Sequence, residues 1–126
     1  MALMRLILLA MFALLLSVRP TDEAHALLTI VDGDTVLLSG ERIRIANVDA
    51  PEVRHAQCES EARLGRLATD RLRGLLTEGP AVVRREGEDR FGRTLARILV
   101  NGRDVGDRLV DEGLARRWDG RRQPWC

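Results

Sequence analysis

The amino-acid sequence predicts a mainly β domain with helices, an α+β fold in which one long helix separates two groups of short strands. Short runs of β-branched and apolar residues alternate with polar turns, which is typical of strands. One longer stretch repeats apolar residues at helical spacing. With 126 residues, the chain has room for one such domain.

The first three strands are predicted before residue 46. Segment 27–38 is apolar and β-branched except at 32–34, which predicts a strand, a tight bend and a second strand. Residues 39–41 predict a hairpin turn. The period-two alternation that follows places Ile43 and Ile45 on the core face of the third strand.

The longest helix is predicted at residues 59–77, where leucine and alanine recur at helical spacing until Gly79-Pro80. Two more strands are predicted at 81–85 and 94–100, with a charged loop at 86–93 between them.

A short helix that ends at Gly113 comes next, followed by a basic, aromatic and irregular tail from about residue 116. Five strands with a long helix between the third and fourth predict a five-stranded Greek-key barrel of the OB type, with one long and one short helix.

The N-terminal segment reads as a targeting signal. Residues 6–18 are apolar except for Ser17, and as a helix they rise only about 20 Å, short of the roughly 30 Å hydrocarbon core of a membrane. Ala24-His25-Ala26 then offers small residues at signal-peptidase spacing. We therefore expect residues 1–26 to be a signal peptide and 27–126 to be the folded domain, exported to the periplasm or beyond the cell. An uncleaved membrane tether is the alternative.

Charge and cysteine content limit the classes of function. The formal net charge is only +1, unlike the strongly basic surface of a passive nucleic-acid binder. Two cysteines and two histidines are too few and too far apart for a zinc site. In an exported protein, Cys58 and Cys126 are expected to form a disulfide, with two unpaired thiols as the alternative.

Three carboxylates are candidates for metal chemistry. Asp34 and Asp49 lie at the ends of neighbouring predicted strands, so their side chains can meet and hold a cation. An all-oxygen donor set favours Ca²⁺ or Mg²⁺. Glu52 follows Asp49 by three residues and is placed to orient or deprotonate a water. The alternative is that these acids are only polar turn residues.

Two arginines would complete such a site. Arg44 projects from the polar face of the third strand, and Arg93 ends the charged loop. Guanidinium groups stay charged and bind two phosphate oxygens at once. Carboxylates for a metal and arginines for a phosphate together predict metal-assisted phosphodiester hydrolysis.

These motifs, taken in order, resemble the staphylococcal-nuclease-like (thermonuclease) family. The pattern comprises VDGDT, RIRIANVDAPE, C-x-x-E opening the long helix, DRFGRTLA and LV-x-EGLA. It extends from about residue 27 to 115, which is nearly the whole predicted domain.

The resemblance implies a Ca²⁺-dependent nuclease that cleaves DNA or RNA and leaves 3′-phosphate and 5′-hydroxyl ends. It implies Ca²⁺ bound by Asp34, Asp49 and the main-chain carbonyl of Ala50. It also implies that Glu52 positions or activates the attacking water. Arg44 and Arg93 would bind the phosphate and stabilise the transition state.

Substrate contacts are expected from Arg90, Phe91 and Trp118, although the chain has no tyrosine, which the best-known family member uses around the nucleotide. Trp118 packing the tail onto the barrel is the alternative for that residue. We expect a nucleic-acid substrate, with single strands favoured, and a monomer without an obligate protein partner. The alternative functions are a non-catalytic OB-fold nucleic-acid-binding module and an envelope scaffold protein.

Overall fold

The computed structural model describes residues 28–126, so the predicted signal peptide at 1–26 lies outside the described residues. The domain begins with three strands, β1 (Leu28–Asp32), β2 (Thr35–Leu38) and β3 (Glu41–Ile45), which pair antiparallel in that order. The turn between β2 and β3 consists of Ser39 and Gly40, whose φ angles are 48° and 87°. Two residues with positive φ match the right-handed twist of a hairpin.

The second half contributes two helices and the remaining sheet. These elements are α1 (Glu59–Leu76), β5 (Ala81–Glu88), β6 (Thr94–Val100) and α2 (Val105–Asp111). Strand β6 pairs antiparallel with β5 and parallel with β3, which gives the strand order β1-β2-β3-β6-β5.

Three two-residue strands complete the topology: β4 (Val48–Asp49), β7 (Arg103–Asp104) and β8 (Arg116–Arg117). Strand β7 extends the main sheet beside β6, and β4 pairs separately with β8. The predicted mainly β α+β fold is confirmed. Between residues 28 and 126 no backbone pairing joins β1 to β5, so the barrel is open at this seam, consistent with the partly open barrels of OB folds.

Two predicted boundaries are wrong. Strand β5 continues to Glu88 instead of ending at Arg85, because its charged residues keep pairing with β6 across a bulge between Arg85 and Gly87. The tail from residue 116 is not wholly irregular, since it begins as β8 on the edge of β4. A bulge and a two-residue strand carry no hydrophobic period that a sequence pattern could reveal.

The core lies between the sheet and the two helices. Ile43 and Ile45 are fully buried, as their alternation predicts, and each contributes about 1.5–3 kcal/mol by leaving water. The side chains packed around them come from β2, α1, β6 and α2: Val36, Leu72, Leu75, Ile98, Val100, Val105 and Leu109. Within residues 28–126, neither helix has the length and apolar character needed to cross a membrane.

Candidate active site

The structure brings Asp34 and Asp49 to one place. Asp34 lies in the turn between β1 and β2, Asp49 ends β4, and the two residues are only 7% and 5% exposed. The Ala50 backbone N–H donates a 3.0 Å hydrogen bond to Asp34 Oδ2, which ties the turn directly to the residue after Asp49. The Thr35 hydroxyl donates to Asp34 Oδ1 at 3.0 Å. Both predicted ligand carboxylates therefore lie beside Ala50 in a buried setting.

The surroundings of Asp49 and Asp32 favour the neutral form of each carboxyl group. Burial raises the pKa of Asp49, Arg122 and Arg44 oppose that rise, and the Asp34 carboxylate adds to it. Burial, together with the neighbouring Asp34 carboxylate, raises the pKa of Asp32 to about 7. Acidic groups that share a buried space in this way are stabilised by a bound cation.

The donor set fits Ca²⁺, which takes six to eight oxygen ligands. The candidate donors are the carboxylates of Asp34 and Asp49 and the carbonyl of Ala50, all of them oxygen. In the described part of the chain, no group of three or more Asp, Glu, His or Cys side chains is arranged to hold a metal. Water would therefore supply the rest of the coordination shell.

Arg44 lies next to this pair. Its Nη2 is 3.8 Å from Asp34 Oδ2, and its side chain is only 12% exposed. Nη1 donates to the backbone carbonyls of Ile45 and Val48, the latter at 2.8 Å. The guanidinium also lies 5.2 Å from the centre of the Trp118 ring. These contacts hold the positive charge of Arg44 beside the carboxylates.

Arg93 is held by the loop between β5 and β6. Asp89 accepts hydrogen bonds from the backbone N–H groups of Phe91 and Arg93, both at 2.9 Å, and from Arg93 Nε at 2.6 Å. Burial alone would raise the pKa of Asp89, but these hydrogen bonds outweigh it and hold the pKa below its usual value. Asp89 thus stays ionised and fixes the direction in which the Arg93 guanidinium points.

A cavity of about 520 Å³ joins the two arginines to the predicted substrate-binding residues. Phe91 is 69% exposed and Trp118 is 41% exposed, so neither is packed away in the core. Arg90 lies 4.9 Å from the centre of the Phe91 ring. The cavity lining consists of Arg44, Asp89, Arg90, Phe91, Arg93, Leu95, Trp118, Gly120, Arg121 and Arg122. A basic cavity with exposed aromatic side chains suits a negatively charged ligand whose planar rings can stack on them.

Glu52 stands on a loop that is bound tightly to α1. Its backbone N–H donates at 3.0 Å to Glu61 Oε2, and the Gln57 N–H donates at 3.0 Å to Glu61 Oε1. Glu61 is 2% exposed, and these hydrogen bonds outweigh its burial and lower its pKa. The loop can approach the helix because residue 65 is glycine: a Cβ there would lie 2.9 Å from the Pro51 carbonyl oxygen and closer still to that of Glu52.

The C-terminal tail, residues 116–126, contacts the loop that carries Glu52. A disulfide joins Cys58, which precedes α1, to Cys126. Within the tail, Arg116 donates to the Pro124 carbonyl at 2.8 Å and lies 3.8 Å from the centre of the Trp125 ring. The tail passes beside Glu61, and its Arg122 side chain donates hydrogen bonds to both Glu52 and Glu61.

Neither Glu61 nor Arg122 is predicted as a site residue by the sequence motifs. The C-x-x-E pattern that opens α1 is a usable signal for Glu61, because it places a carboxylate on the first turn of the helix, near the Glu52 loop. Arg122 is one of 20 basic residues, all of them arginine. Only its tertiary contacts distinguish it from the rest.

Comparison with known proteins gives a consistent result. The profile of the family described as "Staphylococcal nuclease homologue" matches residues 42–124. The chain is 35% identical over 99 residues to "Endonuclease YhcR" of Bacillus subtilis (strain 168), which covers 68% of this chain and 8% of that protein. It is 30% identical over 100 residues to "Thermonuclease" of Staphylococcus intermedius, covering 75% of this chain and 59% of the relative.

A third relative has a different kind of name. "Succinoglycan biosynthesis protein ExoI" of Rhizobium meliloti (strain 1021) is 29% identical over 114 residues, which cover 84% of this chain and 60% of that protein. The chain therefore spans less than two thirds of the length of each of these three relatives.

Proposed function

The chain belongs to the staphylococcal nuclease family, and on that basis we propose that it is an exported, Ca²⁺-dependent nuclease. It hydrolyses phosphodiester bonds of DNA or RNA and leaves 3′-phosphate and 5′-hydroxyl ends. One observation carries the proposal: Arg44 lines the basic cavity and at the same time lies 3.8 Å from Asp34, at the buried carboxylate pair. Arg44 thus connects the proposed phosphate-binding cavity with the proposed cation-binding carboxylates.

The chain's own side chains divide the reaction between them. Arg44 and Arg93 bind the non-bridging oxygens of the phosphate and stabilise the charge that grows on them in the transition state. Glu52 accepts a hydrogen bond from the attacking water and takes its proton. Ca²⁺, held by Asp34, Asp49 and the Ala50 carbonyl, would supply Lewis-acid polarisation of a phosphoryl oxygen.

The substrate class follows from the cavity. Exposed rings at Phe91 and Trp118 offer stacking faces to bases, and unpaired bases are free to use them. We therefore propose that single-stranded nucleic acid is preferred, and that the protein acts as a monomer without an obligate partner protein. Export is supported by the apolar segment 6–18 and by the disulfide, which is typical of oxidising compartments. The proposed location is the periplasm or the cell exterior, with a membrane tether if the signal remains uncleaved.

The test is a cleavage assay on a 5′-labelled single-stranded DNA, with Ca²⁺ and with excess EDTA. We expect cleavage only with Ca²⁺. The products should carry a 3′-phosphate group, which a phosphatase removes. Cleavage that persists in EDTA would contradict the metal requirement. Salt-sensitive binding without cleavage would favour the non-catalytic binding module instead.

Substitution of Gly65 tests whether the position of the Glu52 loop matters. The added methyl group of Gly65→Ala meets the backbone carbonyls of Pro51 and Glu52, which cannot move without shifting Glu52. A displacement of about 1 Å is expected to lower kcat by about 10²-fold. The steric clash of the added methyl group should also lower the free energy of unfolding by about 1–3 kcal/mol. Steady-state kinetics and urea unfolding measure the two effects.

Gly74→Ala is the matched control on the same helix. A Cβ at Gly74 meets nothing nearer than Arg71 Nη1 at 3.9 Å. We expect it to keep the wild-type rate and to gain about 0.5–1 kcal/mol of stability, as alanine replaces glycine in a helix. Equal rates for the two variants would show that the loop position does not limit catalysis.

A further inference from the structure

The tail places a third arginine beside the proposed active site. Arg122 Nη1 donates to Glu52 Oε1 at 2.7 Å, and Nη2 donates to Glu61 Oε2 at 3.1 Å. The same guanidinium lines the cavity that holds Arg44 and Arg93. Arg122 therefore contacts the residue proposed to activate the attacking water, and it lies beyond the five sequence motifs, which end at about residue 115.

Arg122 is brought there by the closed tail and not by the barrel itself. Strand β8 anchors one end of the tail on β4, and the disulfide of Cys126 with Cys58 anchors the other. Between the anchors, Asp119 accepts hydrogen bonds from the Arg121 backbone and the Gln123 side chain. With both ends held, the tail can present Arg122 in a fixed direction.

Glu52 is consequently held through its backbone and through its side chain, and both contacts lead to Glu61. Its backbone N–H is bound to Glu61, and its side chain is bound to Arg122, which itself is bound to Glu61. Within residues 28–126, Arg122 is the side chain that donates to Glu52 Oε1, and Oε2 accepts no protein hydrogen bond. One carboxylate oxygen is thus occupied and the other remains available to water.

We propose that Arg122 is a positioning residue, which orients the Glu52 carboxylate so that Oε2 faces the attacking water. The inference rests on the proposed nuclease function and deepens it. Arginine suits this role because its planar fork binds two carboxylates at once in a fixed geometry. A lysine at the same position offers a single ammonium group and could hold Glu52 or Glu61, but with less directional control.

The experiment compares kcat and KM of the full chain with those of Arg122→Ala and Arg122→Lys under Ca²⁺. We expect kcat to fall about 10- to 100-fold in Arg122→Ala, as when an orienting partner is lost, with KM within about twofold of wild type. Arg122→Lys should recover part of the loss. Arg54→Ala is the matched control, because Arg54 is an exposed arginine within the same loop, and it should leave both constants unchanged.

A double-mutant cycle with Glu52→Gln separates positioning from other roles. If Arg122 acts through Glu52, then Arg122→Ala should have little further effect on kcat once Glu52 is replaced. Full additivity of the two losses would overturn the proposal, since Arg122 would then act independently. Thermal unfolding of each variant shows whether it is folded.

The remaining outcomes are also decisive. A raised KM with unchanged kcat would make Arg122 a substrate-binding residue. A higher kcat in Arg122→Ala would mean that the ion pair restrains Glu52 instead of orienting it. Either result overturns the positioning role while the nuclease function stands. A wild-type protein that binds Ca²⁺ and DNA but does not cleave would overturn the function itself.

Discussion

Arg93→Ala should lower the rate of phosphodiester cleavage by about 10³-fold while leaving the protein folded. Loss of one charged donor that stabilises a transition state costs about this much in phosphoryl and acyl transfer. Arg93 is a clean target because its side chain is hydrogen-bonded only to Asp89 among the described residues. Asp89 keeps its backbone hydrogen bonds from Phe91 and Arg93 after the change, so the loop retains its turn.

Single-turnover cleavage at saturating Ca²⁺ measures this effect. Arg103→Ala is the matched control, because Arg103 is exposed on strand β7 and does not line the cavity. It should cleave at the wild-type rate. A loss below about tenfold in Arg93→Ala, with the protein folded, would mean that the transition state does not depend on this guanidinium.

Removal of the disulfide should cost roughly 4 kcal/mol of the free energy of unfolding. The bridge joins residues 68 positions apart, and in the chain-entropy model a loop of that length restricts the unfolded chain by about this amount. Apart from the bridge, the largely exposed tail is held by the two-residue strand β8 and by the ion pairs of Arg122 with Glu52 and Glu61. Urea unfolding of Cys58→Ser/Cys126→Ser against the oxidised wild type measures the difference.

The reduced wild type provides the control for this comparison. Reduction by a phosphine should lower stability to the level of the double variant and should leave the double variant unchanged. A difference below about 1 kcal/mol between oxidised and reduced protein would show that the barrel is equally stable without its closed tail.

The regular parts of the fold could be predicted because each repeats over several residues. The alternation around Ile43 and Ile45 identifies a half-buried strand, and the leucine spacing of α1 identifies an amphipathic helix. The candidate ligands Asp34 and Asp49 are expected to meet because each lies near the end of a predicted strand. In the structure Asp34 lies in the turn between β1 and β2, and Asp49 ends β4, which pairs with β8 outside the main sheet.

The contacts that complete the site could not be predicted in this way. Asp89 accepts a hydrogen bond from the Arg93 side chain within one turn. That it orients Arg93 is known only from the side-chain positions. Arg122 reaches Glu52 across 70 positions of sequence. The strands β4 and β8 are each two residues long, which is too short for a local periodicity to predict their pairing.

The central claim is that the buried carboxylate pair binds the cation that phosphodiester cleavage requires. Its most direct test is the single-turnover cleavage of single-stranded DNA by wild type, Asp34→Ala and Asp70→Ala over a Ca²⁺ titration. Asp70 is the matched control because, within residues 28–126, its exposed carboxylate on α1 pairs only with Arg73. We expect wild type and Asp70→Ala to share one Ca²⁺-dependent cleavage curve and Asp34→Ala to remain inactive or to need far more Ca²⁺. An unchanged Ca²⁺ dependence in Asp34→Ala would contradict the account.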